Sequence, residues 1–147
     1  MLSSGKDMKA DGTRSETILV VDDDETALDF CCKVLIREGY TVLPAQSGAE
    51  ALEIYSREGD RITLSLVDVV MPEMTGIDLV KRLEATDYIG KIALMSGYSP
   101  EEVDRLIGRE GSGYRVFWKP FDVRLFLQMV RNVLDAPPRE RVHVARF

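Results

Sequence analysis

Five short runs of apolar, β-favouring residues recur along the chain, and a stretch with helical spacing follows each of them. The runs cover residues 17–22, 40–45, 61–68, 91–96 and 114–118. Several are apolar almost throughout, as expected for strands of a parallel sheet that are covered on both faces. Parallel neighbours need a crossover connection, and a helix usually supplies it. The alternation therefore predicts a doubly wound α/β domain with five strands and five helices.

The predicted helices fill the intervals between the strands. In the first, apolar residues recur at steps of three and four from Ala27 to Leu35, and Gly39 stands where a C-terminal cap belongs. The last helix carries one apolar stripe from Val123 to Leu134. Three shorter helices are predicted over 47–58, 76–86 and 99–109. Residues that favour helix starts stand at two of these, namely Ser47, Ser99 and Pro100.

The two ends of the chain lie outside this alternation. Residues 1–16 are polar and without periodicity, which predicts a flexible N-terminal tail. Pro137 and Pro138 end the last helix, so residues 137–147 are predicted to be a short charged C-terminal tail. The domain itself is expected over residues 17–136, which is long enough for a sizeable core.

Charge and hydropathy exclude several classes of partner and location. The net charge of −6 argues against a nucleic-acid partner, which would require a basic face. No apolar run approaches the roughly 18 residues that a bilayer span needs, and the N-terminus has no secretory signal. A cytoplasmic protein without a membrane partner is expected.

Cysteine and histidine are too few for several kinds of site. Cys31 and Cys32 are adjacent, and the chain has no third cysteine, so two buried or half-buried thiols are expected rather than a disulfide or a zinc site. His143 is the only histidine and lies in the basic C-terminal tail. A lone histidine in such a tail is expected to be solvated, so it is not expected to serve as the base of a serine or cysteine hydrolase.

Polar side chains stand at the ends of four of the five predicted strands: Asp22-Asp23, Asp68, Ser96 and Lys119. The carboxyl ends of parallel strands form the edge where ligands of such folds bind, so these residues should converge. Carboxylates repel each other unless a cation lies among them, and oxygen ligands without His or Cys favour Mg²⁺. A hydroxyl and an ammonium suit phosphoryl oxygens. The set predicts phosphoryl transfer through an aspartyl phosphate.

The stretch ILVVDDDET, residues 18–26, is compatible with two families. An Asp22-x-Asp24 pair after four apolar residues resembles the first motif of the haloacid-dehalogenase-like phosphatases. That resemblance would make Asp22 the nucleophile and Asp24 the acid/base of an enzyme. The stretch also resembles the receiver domain of two-component response regulators. In a receiver the acidic pair binds the metal, and the phospho-accepting aspartate ends the third strand.

The later motifs favour the receiver domain. The third strand region reads LVDVVMPEMTG (66–76) and resembles the receiver signature, as do ALMSGYS (93–99) and FWKPFD (117–122). The MSGY variant resembles receivers of hybrid sensor kinases. A phosphatase would need a cap insertion and a further acidic strand motif after Lys119, and the chain has neither. The resemblance covers residues 17–136 and implies the flavodoxin-like (βα)5 receiver fold with strand order 2-1-3-4-5.

The resemblance also implies roles at the phosphorylation site. Asp68 would accept the phosphoryl group, Ser96 would hydrogen-bond one of its oxygens, and Lys119 would pair first with Asp68 and later with the phosphoryl group. The Lys119-Pro120 bond matches a cis peptide of the family. Gly76 would permit the turn into the third helix.

The implied metal site consists of Asp22, Asp23 and Asp68 with the carbonyl of Val70, and its ion would be Mg²⁺. Asp23 would bind the ion directly, while Asp22 would help through a bound water. Asp24 stands outside this set and is expected to cap the first helix.

Two positions depart from the common receiver pattern. Many receivers carry Tyr or Phe three residues before the lysine, where this chain has Val116, so the resemblance does not imply the usual coupling between the site hydroxyl and an aromatic ring here. Trp118 is expected either on a surface of the fourth helix and fifth strand or in the core. At the second position, Val70 cannot orient a hydrolytic water, which predicts a comparatively long-lived phosphoryl-aspartate.

Three classes of function are compatible with these motifs: a phospho-accepting switch, the aspartate-dependent phosphatase, and a binding module that is never phosphorylated. The switch is favoured, so no enzyme is expected beyond Mg²⁺-dependent self-phosphorylation and autodephosphorylation. Its partners would be a histidine kinase or histidine phosphotransfer protein and a downstream protein target. A free single-domain protein that acts by protein–protein contact is favoured over a piece of a hybrid kinase.

Overall fold

The computed structural model describes residues 14–107 and 114–137. Its strands form one parallel sheet in the order β2-β1-β3-β4-β5. The strands are β1 (Thr17–Val21), β2 (Thr41–Ala45), β3 (Leu64–Asp68), β4 (Lys91–Ser96) and β5 (Arg115–Trp118). The helices are α1 (Glu25–Arg37), α2 (Gly48–Glu58), α3 (Gly76–Glu84), α4 (Pro100–Ile107) and α5 (Val123–Asp135). The predicted fold class and strand order are confirmed.

Two hydrophobic layers cover the sheet, one on each face. Helices α1 and α5 pack on one face, where Leu35 and Phe126 contact side chains such as that of Ile18. Helices α2, α3 and α4 cover the other face, where Leu79 packs with residues such as Leu19. Successive strand residues therefore enter opposite layers and are both buried. This explains why the strand sequences are apolar throughout rather than alternating.

Side-chain caps fix the start of each helix that the structure describes. Asp24, Ser47, Thr75, Ser99 and Asp122 each accept a hydrogen bond from a backbone N–H of the first turn. The predicted caps of α2 and α4 are confirmed. The chain leaves α1 through a glycine with a φ of 105°, a conformation that favours glycine, at the position predicted for a C-terminal cap.

Strand β3 begins three residues later than predicted. The segment Gly59–Arg61 forms a 3₁₀ turn that the N–H of Ile62 closes on the carbonyl of Gly59, and only Leu64 begins the strand. Asp60 and Arg61 of the turn are exposed, and residues 61–63 of the predicted strand therefore precede β3 rather than forming part of it. Helix α3 ends at Glu84, two residues before its predicted end.

Of the predicted N-terminal tail, residues 1–13 lie outside the described residues, while Arg14 and Glu16 pack against the domain. Arg14 forms an ion pair with Glu38 at 3.2 Å and lies 5.2 Å from the ring centroid of Tyr40. Glu16 is buried and accepts a hydrogen bond of 2.8 Å from Arg131 on α5. The predicted C-terminal tail lies outside the described residues except for Pro137.

Both cysteines are free thiols, as predicted: Cys31 is buried and Cys32 half-buried on α1. Burial raises the pKa of Cys31 to about 12 and that of Cys32 to about 11. Thiols with such pKa values carry little of the reactive thiolate. Within the described part of the chain, no helix combines the length and apolar character that crossing a membrane requires.

Gly76 allows α3 to begin directly against the end of β3. Its N–H donates to the carbonyl of Val69 at 2.8 Å. A Cβ at this position would lie 2.1 Å from the carbonyl oxygen of Asp68, an overlap with backbone that no side-chain rotation can relieve. The glycine is therefore required by this close approach rather than by an unusual backbone conformation.

Gly76→Ala is expected to lower the free energy of unfolding by about 1–3 kcal/mol, because the backbone of β3 or α3 must shift. Chemical denaturation measures this change. Gly59→Ala is the matched control: its Cβ would meet Tyr55 at an ordinary 3.4 Å and its φ of −56° suits alanine. The control should be neutral or gain up to about 1 kcal/mol. Equal losses in both variants would contradict the role assigned to Gly76.

Candidate functional site

Three carboxylates converge at the carboxyl edge of the sheet. Asp22 and Asp23 follow β1, while Asp68 ends β3, and these two strands are paired neighbours. One oxygen from each of the three lies within 4.8 Å of the others. Asp22 and Asp68 are buried, whereas Asp23 is exposed. The strand ends predicted to meet therefore do meet, and they form an acidic cluster open to solvent on one side.

Lys119 neutralises part of this cluster from the end of β5. Its Nζ lies 2.5 Å from Oδ2 of Asp22 and 3.0 Å from Oδ1 of Asp68. Burial opposes the charge of this lysine, but the hydrogen bonds and negative charges of the two aspartates outweigh burial and raise its pKa above the ordinary value. The Lys119-Pro120 peptide bond is cis, as predicted.

Ser96 ends β4 beside Lys119. Its backbone carbonyl accepts the N–H of Lys119 at 2.7 Å, so the two strand ends are tied directly. Its side chain is buried, and Oγ accepts the N–H of Tyr98 at 2.9 Å. Because the hydroxyl acts as acceptor in this bond, its own hydrogen is free to be donated to another group. The structure thus places a hydroxyl next to the lysine of the site.

Asp24 caps the first helix and is not a member of the carboxylate cluster. Its Oδ1 accepts from the N–H groups of Thr26 and Ala27 and caps α1, as predicted. Its own N–H donates to Oδ1 of Asp22 at 2.9 Å. Both oxygens of Asp22 are therefore engaged, one by this amide and one by Lys119. The phosphatase hypothesis requires Asp24 as a free acid/base, and this capping contact does not favour it.

The loop after Asp68 contains a strained turn that the sequence did not reveal. Glu73 has a φ of 68°, and the N–H of Met74 donates to the carbonyl of Pro72 at 2.7 Å across it. This is a γ-turn with a positive central φ, a rare conformation for a non-glycine residue. Glutamate carries no sequence signal for it. The turn lies between Val70, which is half-buried, and the start of α3.

The surroundings of Asp68 disfavour its ionised form. Burial raises its pKa most, the charge of Asp22 raises it further, and the ammonium of Lys119 offsets part of the rise, so that the pKa lies at about 6. Because its ionised form is destabilised in this way, Asp68 is stabilised by any change that adds positive charge beside it or spreads its negative charge.

The acidic cluster suits a hard divalent cation. All three side chains offer carboxylate oxygen, one of them exposed, and the cluster contains neither histidine nor cysteine. Oxygen-only donor sets are the preferred ligands of Mg²⁺, which keeps several waters and needs only a few protein ligands. The residues present therefore fit the ion predicted from the sequence. The contribution of the Val70 carbonyl stays a prediction.

Asp68→Asn is expected to raise the free energy of unfolding of the metal-free protein at neutral pH. The pKa of Asp68 is raised from 3.8 to about 6 on folding, so its ionised form destabilises the fold above that range, by on the order of 3 kcal/mol. The difference in free energy of unfolding between Asp68→Asn and wild type should disappear as the pH falls from about 6 towards 4, because the wild-type carboxyl then takes up its proton.

Urea denaturation with a chelator present, at neutral pH and near pH 4, measures both effects. Asp24→Asn is the matched control at the same edge, since asparagine also caps a helix, and its stability should change little at either pH. Wild type and Asp68→Asn of equal stability at neutral pH would contradict the raised pKa.

The comparisons with known proteins agree with this geometry. The family model described as response regulator receiver domain matches residues 18–131. The chain is 33% identical over 121 residues to the sensor kinase CckA of Brucella abortus. It is 32% identical over 121 residues to sporulation initiation phosphotransferase F of Bacillus subtilis, covering 82% of this chain and 94% of that protein.

The length shared with these relatives differs widely. The matched region is 82% of this chain but only 13% of the Brucella kinase. It spans about half of the matching transcriptional regulators, 48% of the CpxR protein of Escherichia coli and 49% of PhoP of Bacillus subtilis. The match therefore covers most of the described domain, but only a part of the kinase and of the transcriptional regulators.

Solved structures give the same result for the fold. A CheY-like response regulator receiver domain from Methanospirillum hungatei superposes with a TM-score of 0.71 at 29% identity, covering 82% of this chain and 94% of that one. The prediction that preferred the receiver to the phosphatase is confirmed. By its strand order, its family match and its relatives, the chain belongs to the response regulator receiver domains of two-component signalling.

Proposed function

We propose that Asp68 accepts a phosphoryl group from a phosphohistidine of a partner protein and that the modified domain then binds a different set of proteins. The observation that carries this proposal is the position of Asp68. It ends a central strand at the carboxyl edge, with the Lys119 ammonium 3.0 Å from Oδ1 and two further carboxylates within 4.8 Å. Chains of this family are phospho-accepting switches, and Asp68 is the aspartate that fits that role.

The chemistry follows from the groups around Asp68. An oxygen of its carboxylate attacks the phosphorus, a P–O bond forms, and the P–N bond to the donor imidazole breaks with its electron pair left on that nitrogen. Lys119 lies where its ammonium can balance charge on the transferred group. Ser96 can donate its O–H to a phosphoryl oxygen, because that hydrogen is not used in its bond with Tyr98.

Mg²⁺ is the proposed cofactor, held by Asp23 directly, by Asp22 through water, and by Asp68 and the carbonyl of Val70. When bound, the ion would offset the negative charge that gathers between the carboxylates and the phosphoryl oxygens. Asp23 is the exposed member of the cluster and can bind the ion without breaking an ion pair, whereas Asp22 is already held by Lys119.

The proposed phosphoryl donor is a histidine kinase or a histidine phosphotransfer protein. Beside Lys119 lies a recess of about 510 Å³ lined mostly by apolar groups, among them Ala27, Phe30, Pro120 and Phe121. An apolar recess beside the lysine that contacts Asp68 supports docking of a protein donor. A cytoplasmic location is part of the same proposal.

The proposed output is contact with a downstream protein through the side of the sheet where β5 lies. Trp118 of β5 is 40% exposed, which favours the surface position over the core position left open by the sequence. Tyr98 and Leu106, before and on α4, are exposed large side chains as well. Tryptophan and tyrosine are enriched where protein partners bind. Val116 is half-buried at the position where many receivers carry an aromatic residue.

Incubation of the protein with acetyl phosphate and Mg²⁺ is expected to label Asp68. The acyl phosphate is trapped by reduction, and peptide mass spectrometry identifies the residue that carried it. Asp68→Asn should abolish the label, while Asp24→Asn, a matched change at the same edge, should retain it. Label on Asp22 with rapid turnover of small phosphate esters would instead support the phosphatase and contradict the proposal.

Asp23→Asn is expected to weaken Mg²⁺ binding at least tenfold, because the ion loses one of its few charged protein ligands. Asp24→Asn is the control, since its side chain caps α1 and lies outside the acidic cluster. Isothermal titration calorimetry with Mg²⁺ measures both affinities. A larger loss in Asp24→Asn than in Asp23→Asn would show that the ligands are assigned wrongly.

A further inference from the structure

A second cleft opens at the amino edge of the sheet, opposite the acidic cluster. It has a volume of about 530 Å³ and lies between the end of α2 and the end of α3, where the chain enters β3 and β4. Leu52 and Leu83 form apolar walls. Ile89 stands at its rim with 88% of its side chain exposed, an unusual position for a large aliphatic residue.

Two tyrosines form the floor of this cleft. The rings of Tyr55 and Tyr88 meet edge to face, with centroids 5.1 Å apart. Their hydroxyls are already bonded, since Tyr55 shares a hydrogen bond with Ser65 of β3 and Tyr88 donates to the carbonyl of Lys91 at 2.9 Å. The floor is thus fixed, and it offers aromatic surface rather than free polar groups.

Two carboxylates stand at the mouth of the cleft. Asp60 and Asp87 line it and are exposed, and neither forms an ion pair with any residue in the described ranges. Aliphatic walls, an aromatic floor and acidic groups at the mouth favour an occupant that combines apolar side chains with arginine.

The chain itself carries such a segment. Residues 138–147 read PRERVHVARF, with three arginines and one glutamate in a protein whose net charge is −6. Three larger apolar residues are spaced among these charges: Val142, Val144 and Phe147. The charge of the segment is therefore opposite to that of the cleft, and its apolar side chains match the walls.

The end of α5, from which the chain continues to this segment, lies near the cleft. The Lys91 ammonium donates to the carbonyls of Leu134 and Ala136, so the end of α5 lies at the start of β4. Tyr88 and Ile89 of the cleft come two and three residues before Lys91 in the chain. One lysine side chain and this short stretch separate the end of α5 from the cleft, a distance on the order of 15 Å. Ten extended residues reach about 33 Å and can therefore span it.

We propose that residues 138–147 of this chain bind the cleft between α2 and α3. The arginines face Asp60 and Asp87, and the valines and Phe147 cover Ile89 and the tyrosine floor. Attachment to α5 gives the segment a high effective concentration at the cleft, so a modest interface suffices to hold it there. The site is separate from the acidic cluster, and its occupation does not depend on the proposed role of Asp68.

The test is NMR spectroscopy of the full chain with labelled methyl groups. Nuclear Overhauser effects are expected between the methyl groups of Val142 or Val144 and those of Leu52, Leu83 or Ile89. Replacing both rim acids, Asp60→Lys with Asp87→Lys, should remove these cross-peaks. Asp104→Lys on α4, an exposed acid outside the cleft, is the control and should retain them.

A charge exchange separates docking from simple unfolding. Adding Arg139→Asp and Arg141→Asp to the double lysine variant should restore the cross-peaks, because opposite charges face each other again. Wild-type protein without such cross-peaks would overturn the proposal. Cross-peaks that arise only between differently labelled copies in a mixed sample would also overturn it, since the cleft would then receive the segment of a second molecule.

Discussion

The ammonium of Lys119 between Asp22 and Asp68 is the interaction on which the carboxyl edge of this domain depends. Lys119 is 97 positions from Asp22 and 51 from Asp68 in sequence, and the three residues lie at the carboxyl ends of three different strands, yet one nitrogen contacts both carboxylates. Without that charge, two buried aspartates would repel each other at short range, and such a pair is costly to bury. The ion pairs therefore fix the site and stabilise the arrangement of β1, β3 and β5 together.

Lys119 neutralises the three carboxylates only in part, so the site can respond to the binding of a further charged group. One ammonium faces three carboxylates, and the pKa of Asp68 remains raised to about 6 even with Lys119 beside it. A bound cation or a transferred phosphoryl group changes this balance of charges directly. Around the cluster, the strands are buried on both faces and offer little freedom. We therefore expect the loops around the cluster, including the strained turn at Glu73, to respond to such a change of charge rather than the strands.

The strands, which repeat along the chain, and the site residues, which stand at strand ends, were predictable from the sequence. Apolar runs predicted all five strands, and the rule that strand ends converge brought Asp68 and Lys119 to one site. The sequence did not predict features whose conformation is set by individual contacts. Arg61 was placed in a strand although its turn closes through a backbone bond at Ile62. Arg14 was placed in a tail although Glu38 and Tyr40 hold it. Neither a 3₁₀ turn nor a partner 24 residues away leaves a periodic signal.

Both edges of the sheet hold more carboxylate than the described residues neutralise through ion pairs. At the carboxyl edge, the half-buried Lys119 and a small cation can balance the negative charge, because the acidic groups are close together and two of them are shielded from water. At the amino edge, Asp60 and Asp87 are exposed beside aliphatic and aromatic side chains, so a compact hydrated ion gains little there. Arginine suits that edge better, since its guanidinium is weakly hydrated and stacks on aromatic rings. Excess negative charge at the two ends of β3 is therefore balanced best by different cations: a lysine with a small metal ion at the carboxyl end, and arginine at the amino end.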